Sequence, residues 1–344
     1  LTPTNAGNLN LGPEQSYETE LGLDAGLLND RIGAELTYFR GYTRDAILTR
    51  QAAPSEGFPG IQSFNAGRVD RGGFEWLVRA QPVRRQRVAV DLAVNGSINR
   101  YRVASLGETA AGRTTVVSVT GQIAHAVGHA PGVWWDRRVV SAAFDSTGVR
   151  VPRASMQCDN GEGGTVPCYT GNTLTAPRVF LGNSVPTREG GVTAGLTLLN
   201  QFRVNAFVDY RGGYKKLDGN RRVRCNALPT CEEFFFRNRF DPVTIASVQE
   251  GTAFTYDLIR DASFARFREL SLTYTLPGRF ARAARAGAAS LTVAGRNLYL
   301  WTNYTGVEPE ASFNGGGRGG QFGQWEQNVL PQTRALVTTI NLSF

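Results

Sequence analysis

Alternation of apolar and polar residues recurs along this chain and constrains its fold more than any other feature. In the last ten residues, ALVTTINLSF, the side chains of Leu336, Ile340, Leu342 and Phe344 fall on one side together with Thr338, and those of Ala335, Val337, Thr339, Asn341 and Ser343 fall on the other. A period of two is typical of a β-strand with one apolar and one wetter face. The chain is therefore predicted to be all-β.

The same pattern returns in eight further segments, which makes nine predicted antiparallel strands. In SYETELGLDAGL and FRELSLTYTLP, for example, successive residues alternate in this way. In SLTVAGRNLYLW the alternation shifts around Gly295, Arg296 and Asn297, which predicts a β-bulge. The predicted strands cover residues of about 16–28, 31–45, 65–81, 86–102, 189–199, 202–213, 262–276, 289–302 and 332–344.

Short and long connections alternate between these strands. The short ones fall at residues 28–30, 82–85 and 200–201, a moderate one falls at 277–288, and the long ones fall at about 46–64, 103–188, 214–261 and 303–331. A soluble sandwich rarely tolerates structureless loops longer than about 15 residues. A transmembrane β-barrel of the bacterial outer membrane has short periplasmic turns and long extracellular loops. The spacing therefore favours the barrel over the sandwich.

Composition agrees with a barrel and argues against other classes of protein. No run of 18 apolar residues predicts a transmembrane helix, whereas a barrel strand needs only about nine to eleven alternating residues. The net charge of +8 is spread along the chain and not concentrated among aromatic residues, so we predict no nucleic-acid binding. No nucleophile lies in a pattern with a base, and only two histidines occur. We therefore predict that the protein is not an enzyme.

The polar faces of the predicted strands carry many charged side chains. Burying them in a small dry core would be costly, so we predict that they face a water-filled lumen or a polar plug. The predicted lumen residues are Glu20, Asp24, Glu35, Glu75, Asp91, Arg203 and Asp209, with Arg79 on the same face.

The four cysteines form two close pairs in polar, turn-rich segments. Cys158 and Cys168 bracket DNGEGGTVP, and Cys225 and Cys231 bracket NALPT. This spacing predicts the disulfides Cys158–Cys168 and Cys225–Cys231 in an oxidising compartment. A zinc site is the alternative, but the CxxC spacing of such sites is missing.

Two further groups in the second long loop are candidate binding sites. Trp134 and Trp135 are predicted ligand contacts that could stack on a sugar ring, with loop packing an equally good interpretation. His125 and His129 are four residues apart, a spacing that on a helix could bind a metal, but no third ligand is nearby.

Oxygen-bearing side chains in the first cysteine loop offer a calcium alternative. Asp159, Asn160 and Glu162 could coordinate Ca²⁺, although a solvated turn is the favoured interpretation. We therefore predict no metal and no cofactor.

Several runs resemble a known family, the TonB-dependent outer-membrane receptors, and within it the SusC/RagA-like branch. The most specific are DASFARFRELSLTYTLP and SLTVAGRNLYLWTNYTGVEPE, the latter similar to the family's "GRNL…W-YTG-DPE" run. NLNLGPEQSYETELG and VFLGNSVPTREGG also resemble family segments. The resemblance covers nearly all the strands and is weakest in the loops at 103–177 and 214–255.

This resemblance implies a barrel of about 22 strands with an N-terminal plug, of which this chain would be the last nine strands. It implies import of glycans or peptides under a SusD-like lipoprotein, with force transmitted through TonB, ExbB and ExbD. The protein would be integral to the outer membrane, in contact with lipid and lipopolysaccharide. Phe344 would be the assembly signal that the barrel assembly machinery recognises.

Two alternatives stay open at this point. One is a siderophore or cobalamin receptor of the same superfamily, and the other is a structural or adhesive barrel without TonB coupling. The opening residues, LTPTNAGNLNLGPEQ, contain no signal peptide and resemble the interior of a longer protein. The chain is therefore expected to be a C-terminal portion.

Overall fold

Nine long antiparallel strands form the main sheet, and they lie in the sheet in the order in which they occur in the chain. The computed structural model describes residues 7–51, 55, 57, 61–65, 67–109, 112–113, 115–283, 285–312 and 325–344. The predicted all-β fold with a nine-stranded antiparallel sheet is confirmed. The strands are β1 (Gln15–Leu27), β2 (Ile32–Arg44), β3 (Arg68–Arg85), β4 (Val88–Ser105), β5 (Arg188–Leu198), β6 (Phe202–Gly212), β7 (Phe264–Thr275), β8 (Ala288–Thr302) and β9 (Ala335–Ser343).

Tight turns connect the strands along the side of the sheet where the strand ends lie, called here the tight-turn edge. Two of these turns contain the same dipeptide, Leu-Asn, in the same left-handed conformation. Leu28 and Asn29 have φ of 55° and 56°, and Leu199 and Asn200 have φ of 54° and 56°. Consecutive left-handed residues match the right-handed twist of the flanking strands. The connection from β7 to β8 is longer and contains helix α1 (Gly278–Ala283).

The turn predicted at residues 82–85 is wrong. Strand β3 continues to Arg85, and the turn consists of residues 86–87. The pairing of β3 with β4 shifts between Ala80 and Val83, so Pro82 lies in a bulge. Proline has no N–H to donate to the ladder, and a bulge is one of the few positions in a sheet that tolerates it.

The bulge predicted around residues 295–297 is confirmed. The pairing of β7 with β8 jumps from Phe267–Tyr299 to Glu269–Arg296, and Asn297 has a φ of 52°. The pairing of β7 with β6 shifts at the same place, so that Arg268 has no direct partner between Phe267 and Glu269.

The four long connections all leave the opposite edge of the sheet, and the described parts of them are folded. They contain a four-stranded, two three-stranded and three two-stranded small sheets, together with short helices, of which Pro242–Glu250 is the longest. Among the described helices, none is long and apolar enough to span a membrane. The strands of the four-stranded sheet are Val179–Gly182, Val133–Asp136, Ile123–Ala126 and Val116–Thr120. Residues 313–324 of the last connection lie outside the described part.

Apolar cores join the second, third and fourth long connections into one unit, called here the loop body (the described residues within 106–187, 213–263 and 303–334). One core packs Met156 and Tyr169 of the second connection against Ile245 and Phe254 of the third. A second core joins Trp134, Leu217 and Leu258, with Trp325 of the fourth connection packed against it. The long loops therefore have a hydrophobic interior of their own.

The small sheets and helices of the long connections are otherwise short. The remaining strands are Ile47–Gln51, Ile61–Asn65, Glu108–Thr109, Gly112–Arg113, Val139–Ser141, Gln157–Asp159, Thr165–Pro167, Tyr169–Thr170, Thr173–Leu174, Lys215–Asp218, Ile259–Asp261 and Trp325–Glu326, and the short helices are Arg153–Ser155, Gly219–Arg222, Val223–Ala227, Glu232–Phe235, Arg237–Arg239, Gly251–Ala253 and Tyr256–Leu258.

Candidate functional site

The polar face of the main sheet is the first part of the site. Asp24 pairs with Glu35 across β1 and β2, and Gly195 of β5 pairs with Asp91 of β4. Because side chains of directly paired residues share a face, the registers place all the predicted lumen residues on one side of the sheet. These are Glu20, Asp24, Glu35, Glu75, Asp91, Arg203 and Asp209, with Arg79 among them.

Ion pairs cross this polar face from strand to strand. Arg79 lies 2.6 Å from Glu35, and Arg203 lies 3.5 Å from Asp91. Both pairs are substantially exposed, so each contributes at most about 1 kcal/mol to stability. They line this face with charges of both signs.

At the edge that carries the long connections, the ion pairs become buried. Arg266 donates to Glu308, and the side chains of the two residues are 3% and 2% exposed. Arg268 donates to Asp209 at 2.8 Å and also to Glu310. These five residues, called here the rim cluster, join β6 and β7 to the last long connection.

A bulge in β7 lies within the rim cluster. Phe267 pairs with Val208 on the apolar face, and Glu269 pairs with Phe207 on the polar face. Alternation counted on from Phe267 places Arg268 on the polar face, whereas alternation counted back from Glu269 would place it on the apolar face. The extra residue shifts the alternation by one position, and the guanidinium of Arg268 contacts Asp209 at 2.8 Å.

A buried lysine continues the cluster into the loop body. The Nζ of Lys216 donates to the carbonyl oxygens of Pro309 at 3.0 Å, Glu308 at 3.4 Å and Ala311. Burial lowers the pKa of Lys216 to about 8, while the nearby carboxylates of Glu326, Glu308 and Glu310 oppose this shift. The ammonium thus holds the backbone of the EPE segment next to the sheet.

The two tryptophans predicted as ligand contacts occupy different environments. Trp134 is 2% exposed, packs in the second core and donates its Nε1 proton to the carbonyl of Lys215 at 2.8 Å. Its ring has no free face for a ligand. Trp135 is half-buried, and its ring meets that of His129 edge-on at 5.7 Å. Only Trp135 keeps a surface that a ligand could contact.

The two histidines lie in a strand and a turn instead of on a helix. His125 is buried and its Nδ1 accepts a hydrogen bond from the N–H of Gly132 at 3.0 Å. Burial lowers the pKa of His125 to about 4. His129 stacks on Phe180 at 4.3 Å, and burial lowers its pKa as well. Both histidines therefore have packing roles in the structure.

Both cysteine pairs are bonded in the structure, as Cys158–Cys168 and Cys225–Cys231. Within the described residues, three metal-ligating groups converge only at Cys225, Cys231 and Glu233, and the two sulfur atoms there are joined to each other.

The calcium candidates of the first cysteine loop stabilise its turn. Asp159 pairs with Arg138 and accepts from the N–H of Gly161 at 2.8 Å. Asn160 accepts from the N–H groups of Glu162 and Gly164. Their side-chain oxygens are thus directed into the loop.

Sequence reasoning did not find the rim cluster. Glu308 and Glu310 lie in the GVEPE segment, and Arg266 and Arg268 lie in FARFREL. Both segments carried the family resemblance, which was the available signal that they are functional. Arg266 and Glu308 are 42 residues apart in the sequence, and a local alternation does not show a contact of this kind.

Comparisons with known proteins place this architecture in a family. The sequence model described as "TonB dependent receptor-like, beta-barrel" matches residues 2–298. TonB-dependent receptor P3 of Formosa agariphila is 24% identical over 90% of this chain and 32% of its own length. TonB-dependent receptor SusC of Bacteroides thetaiotaomicron is 23% identical over 89% of this chain and 30% of its own length. The chain thus spans about a third of the length of these relatives.

The fold agrees with solved structures. The structure of the RagAB peptide transporter has a TM-score of 0.75 and 23% identity over 98% of this chain and 36% of that chain. The same complex in the "open-open" state has a TM-score of 0.74 over 99% of this chain and 36% of that chain, at 21% identity. The relatives named here are receptors and transporters, not enzymes. The resemblance to the SusC/RagA-like branch is confirmed, and the chain belongs to the TonB-dependent receptor β-barrel family, a family of outer-membrane proteins.

Proposed function

We propose that this chain forms the C-terminal nine strands of a barrel of about 22 strands that imports a nutrient across the bacterial outer membrane with energy from TonB. The observation that carries the proposal is the sequential sheet of nine strands with one apolar and one ion-paired polar face. The cargo would be an oligosaccharide or a peptide. Neither the polar face nor the loop body contains groups arranged for catalysis in the described residues, so we propose no enzyme activity.

The apolar face supports a position in lipid. Leu21, Leu36, Val192 and Leu272 lie on it and expose between 45% and 67% of their surface. Contiguous apolar surface of this extent marks contact with a membrane or a partner. Lipid satisfies it along the whole height of the strands. We therefore propose that the protein is integral to the outer membrane, with the tight turns in the periplasm and the long connections outside.

The polar face supports a transport path. In a closed barrel it would surround the lumen or a plug, where Glu35, Arg79, Asp91 and Arg203 would interact with water and polar cargo. The loop body would stand over the outer opening. Trp135, with its partly exposed ring, is the ligand contact that we propose there.

The proposed partners follow from the family. A SusD-like lipoprotein would cover the loop body, and the relatives SusC and RagAB support this partner. TonB, ExbB and ExbD would act through an N-terminal plug domain of the full-length protein. The barrel assembly machinery would recognise β9 and Phe344, which is 88% exposed at the tight-turn edge. Lipid and lipopolysaccharide would contact the apolar face.

Uptake by cells that produce the full-length protein tests this function. Labelled oligosaccharides, peptides and a ferric siderophore are offered with and without an intact tonB gene, and the neighbouring lipoprotein is sought by co-purification. TonB-dependent uptake of an oligosaccharide or peptide with a co-purifying lipoprotein supports the proposal. Uptake of the siderophore alone identifies a siderophore receptor. Stable assembly without TonB-dependent uptake of any probe identifies a structural barrel.

A further inference from the structure

An unassigned arginine-lined recess lies on the apolar face, close to the edge that carries the long connections. It has a volume of about 450 Å³ and spans β2, β3 and β4. Three rungs of paired residues define it, and each rung has its central residue on β3. The rungs are Tyr42–Asp70–Arg102, Arg40–Gly72–Arg100 and Tyr38–Phe74–Ile98.

The middle rung makes the recess. Gly72 has no side chain, and its two neighbours across the sheet are both arginines, Arg40 and Arg100. Strands two positions apart are separated by roughly 10 Å, so two guanidinium groups flank a hollow of about the width of a phosphate group with its first ligands. Arg40, Arg100 and Arg102 are exposed, and none of them has an ion-pair partner within the residues described.

The local charge is strongly positive. Asp70 is the acidic residue of the recess, and its carboxylate is already bound by Arg68 at 2.6 Å. Arg71 also borders the recess but pairs with Glu18 on the other side of the sheet at 2.7 Å. Arg40, Arg100 and Arg102 therefore remain available for an external anion.

The third rung, Tyr38–Phe74–Ile98, is apolar and largely exposed. Phe74 and Ile98 expose 47% and 39% of their surface, and the ring of Tyr38 lies 5.0 Å from that of Phe74. A small soluble anion would leave this surface uncovered. An amphiphile with an anionic head between the arginines and acyl chains over Phe74 and Ile98 matches both halves of the recess.

We propose that Arg40, Arg100 and Arg102, arranged around Gly72, form a binding site for the phosphorylated glycolipid head of a lipopolysaccharide-type lipid. This proposal rests on the proposed function, because it requires the apolar face in lipid and the long connections outside. The outer leaflet then supplies a lipid whose phosphates lie at the level of the middle rung. The site belongs to the outer wall of the protein and is separate from the transport path.

The test uses the full-length protein, purified in mild detergent and stripped of lipid. Native mass spectrometry counts retained molecules of bisphosphorylated lipid A, dephosphorylated lipid A and phosphatidylglycerol, each added separately, with inorganic phosphate as a fourth probe. Tight binding of bisphosphorylated lipid A alone is expected. Equal retention of dephosphorylated lipid A or of phosphatidylglycerol, or binding of phosphate alone, would overturn the proposal. This comparison needs no variant.

The variant Arg40→Gln/Arg100→Gln is expected to bind bisphosphorylated lipid A at least roughly tenfold more weakly, while Arg40→Lys/Arg100→Lys retains most binding. The matched control is Arg85→Gln/Arg87→Gln, which removes the same charge at the tight-turn edge and should bind normally. Equal loss in the control, or none in the test variant, contradicts the site. TonB-dependent uptake is measured in parallel. If uptake is normal but lipid binding does not depend on the phosphates, this site alone is refuted. If the protein is absent from the outer membrane, both proposals are refuted.

Discussion

Arg266 of β7 and Glu308 of the last long connection form an ion pair that is almost completely withdrawn from solvent. The carboxylate of Glu308 also accepts hydrogen bonds from the N–H of Glu310 at 3.1 Å and of Gln332 at 3.2 Å. One buried charge pair thus attaches both described segments of this connection, residues 303–312 and 325–334, to the sheet.

Removing one partner of this pair should be costly. We expect Arg266→Met to lower the free energy of unfolding by about 3–5 kcal/mol, because Glu308 is left buried without its partner. The double variant Arg266→Met/Glu308→Leu should lose less than either single variant. Thermal unfolding of the full-length protein in detergent measures the changes. Arg296→Met is the control, since its pair with Glu269 is exposed and worth at most about 1 kcal/mol. Equal losses in both would contradict the argument.

Adjacent residues of β5 should respond oppositely to a charge. Val192 and Thr193 are both exposed, but Val192 lies on the apolar face and Thr193 on the polar face. We expect Val192→Arg to cost about 2–4 kcal/mol and to reduce assembly, because its guanidinium enters lipid. Thr193→Arg should be tolerated. The measurement is the amount of each folded variant in outer-membrane fractions. Equal amounts of the two variants would show that the apolar face is not in lipid.

The loop body should weaken in acid. The pKa of His125 is lowered by burial from 6.5 to about 4, so between these values the unfolded state binds more protons than the folded state. The contribution of the neutral His125 to the free energy of unfolding is therefore fully present above pH 6.5 and decreases as the pH falls toward 4. The total loss, once the ring is protonated in both states, is about 3 kcal/mol. Hydrogen exchange of residues 116–126 between pH 7.5 and 4 reports this change.

A variant isolates the contribution of this histidine. His125→Asn keeps an acceptor for the N–H of Gly132 and removes the titrating ring, so the acid-dependent loss should shrink. His129→Asn, in the neighbouring turn, serves as the comparison. If the exchange profile of His125→Asn keeps the full pH dependence, another group is responsible.

The Cys158–Cys168 disulfide should stabilise the loop body. Both cysteines are fully buried in the first core, and the bond closes a short loop, which contributes about 2–4 kcal/mol. We expect Cys158→Ser/Cys168→Ser to be cleaved by protease in residues 139–176 under conditions in which the unsubstituted protein resists. An unchanged cleavage pattern would show that the core holds the loop without the bond.

Trp134 and Trp135 should separate stability from binding. Trp134→Ala removes a buried indole and should cost about 3–5 kcal/mol, with little direct effect on ligand affinity in the protein that remains folded. Trp135→Ala should leave the melting temperature nearly unchanged and weaken the cargo affinity. Calorimetry and ligand titration on the two variants measure these effects. A normal affinity in Trp135→Ala would remove that residue from the site.

Alternation alone predicted the main sheet well, since side-chain period determines which residues share a face. The face shared by Asp91 and Arg203 follows directly from it. Arg268 could not be placed in this way, because a bulge at this position shifts the alternation by one residue. The local sequence around Pro82 predicts a turn, but β3 accommodates this proline in a bulge. The burial of Trp134 depends on contacts between segments about 80 residues apart, which no local period encodes.

The order of the strands has a consequence for biogenesis. Within the described residues, each long strand pairs with the long strands before and after it in the chain, so the main sheet can form hairpin by hairpin. The core around Trp134, Leu217 and Trp325 draws on three separate connections, and it can condense only after β5 to β8 are in place. The loop body therefore closes late in the folding of the chain, when all but the last strand of the main sheet have been made.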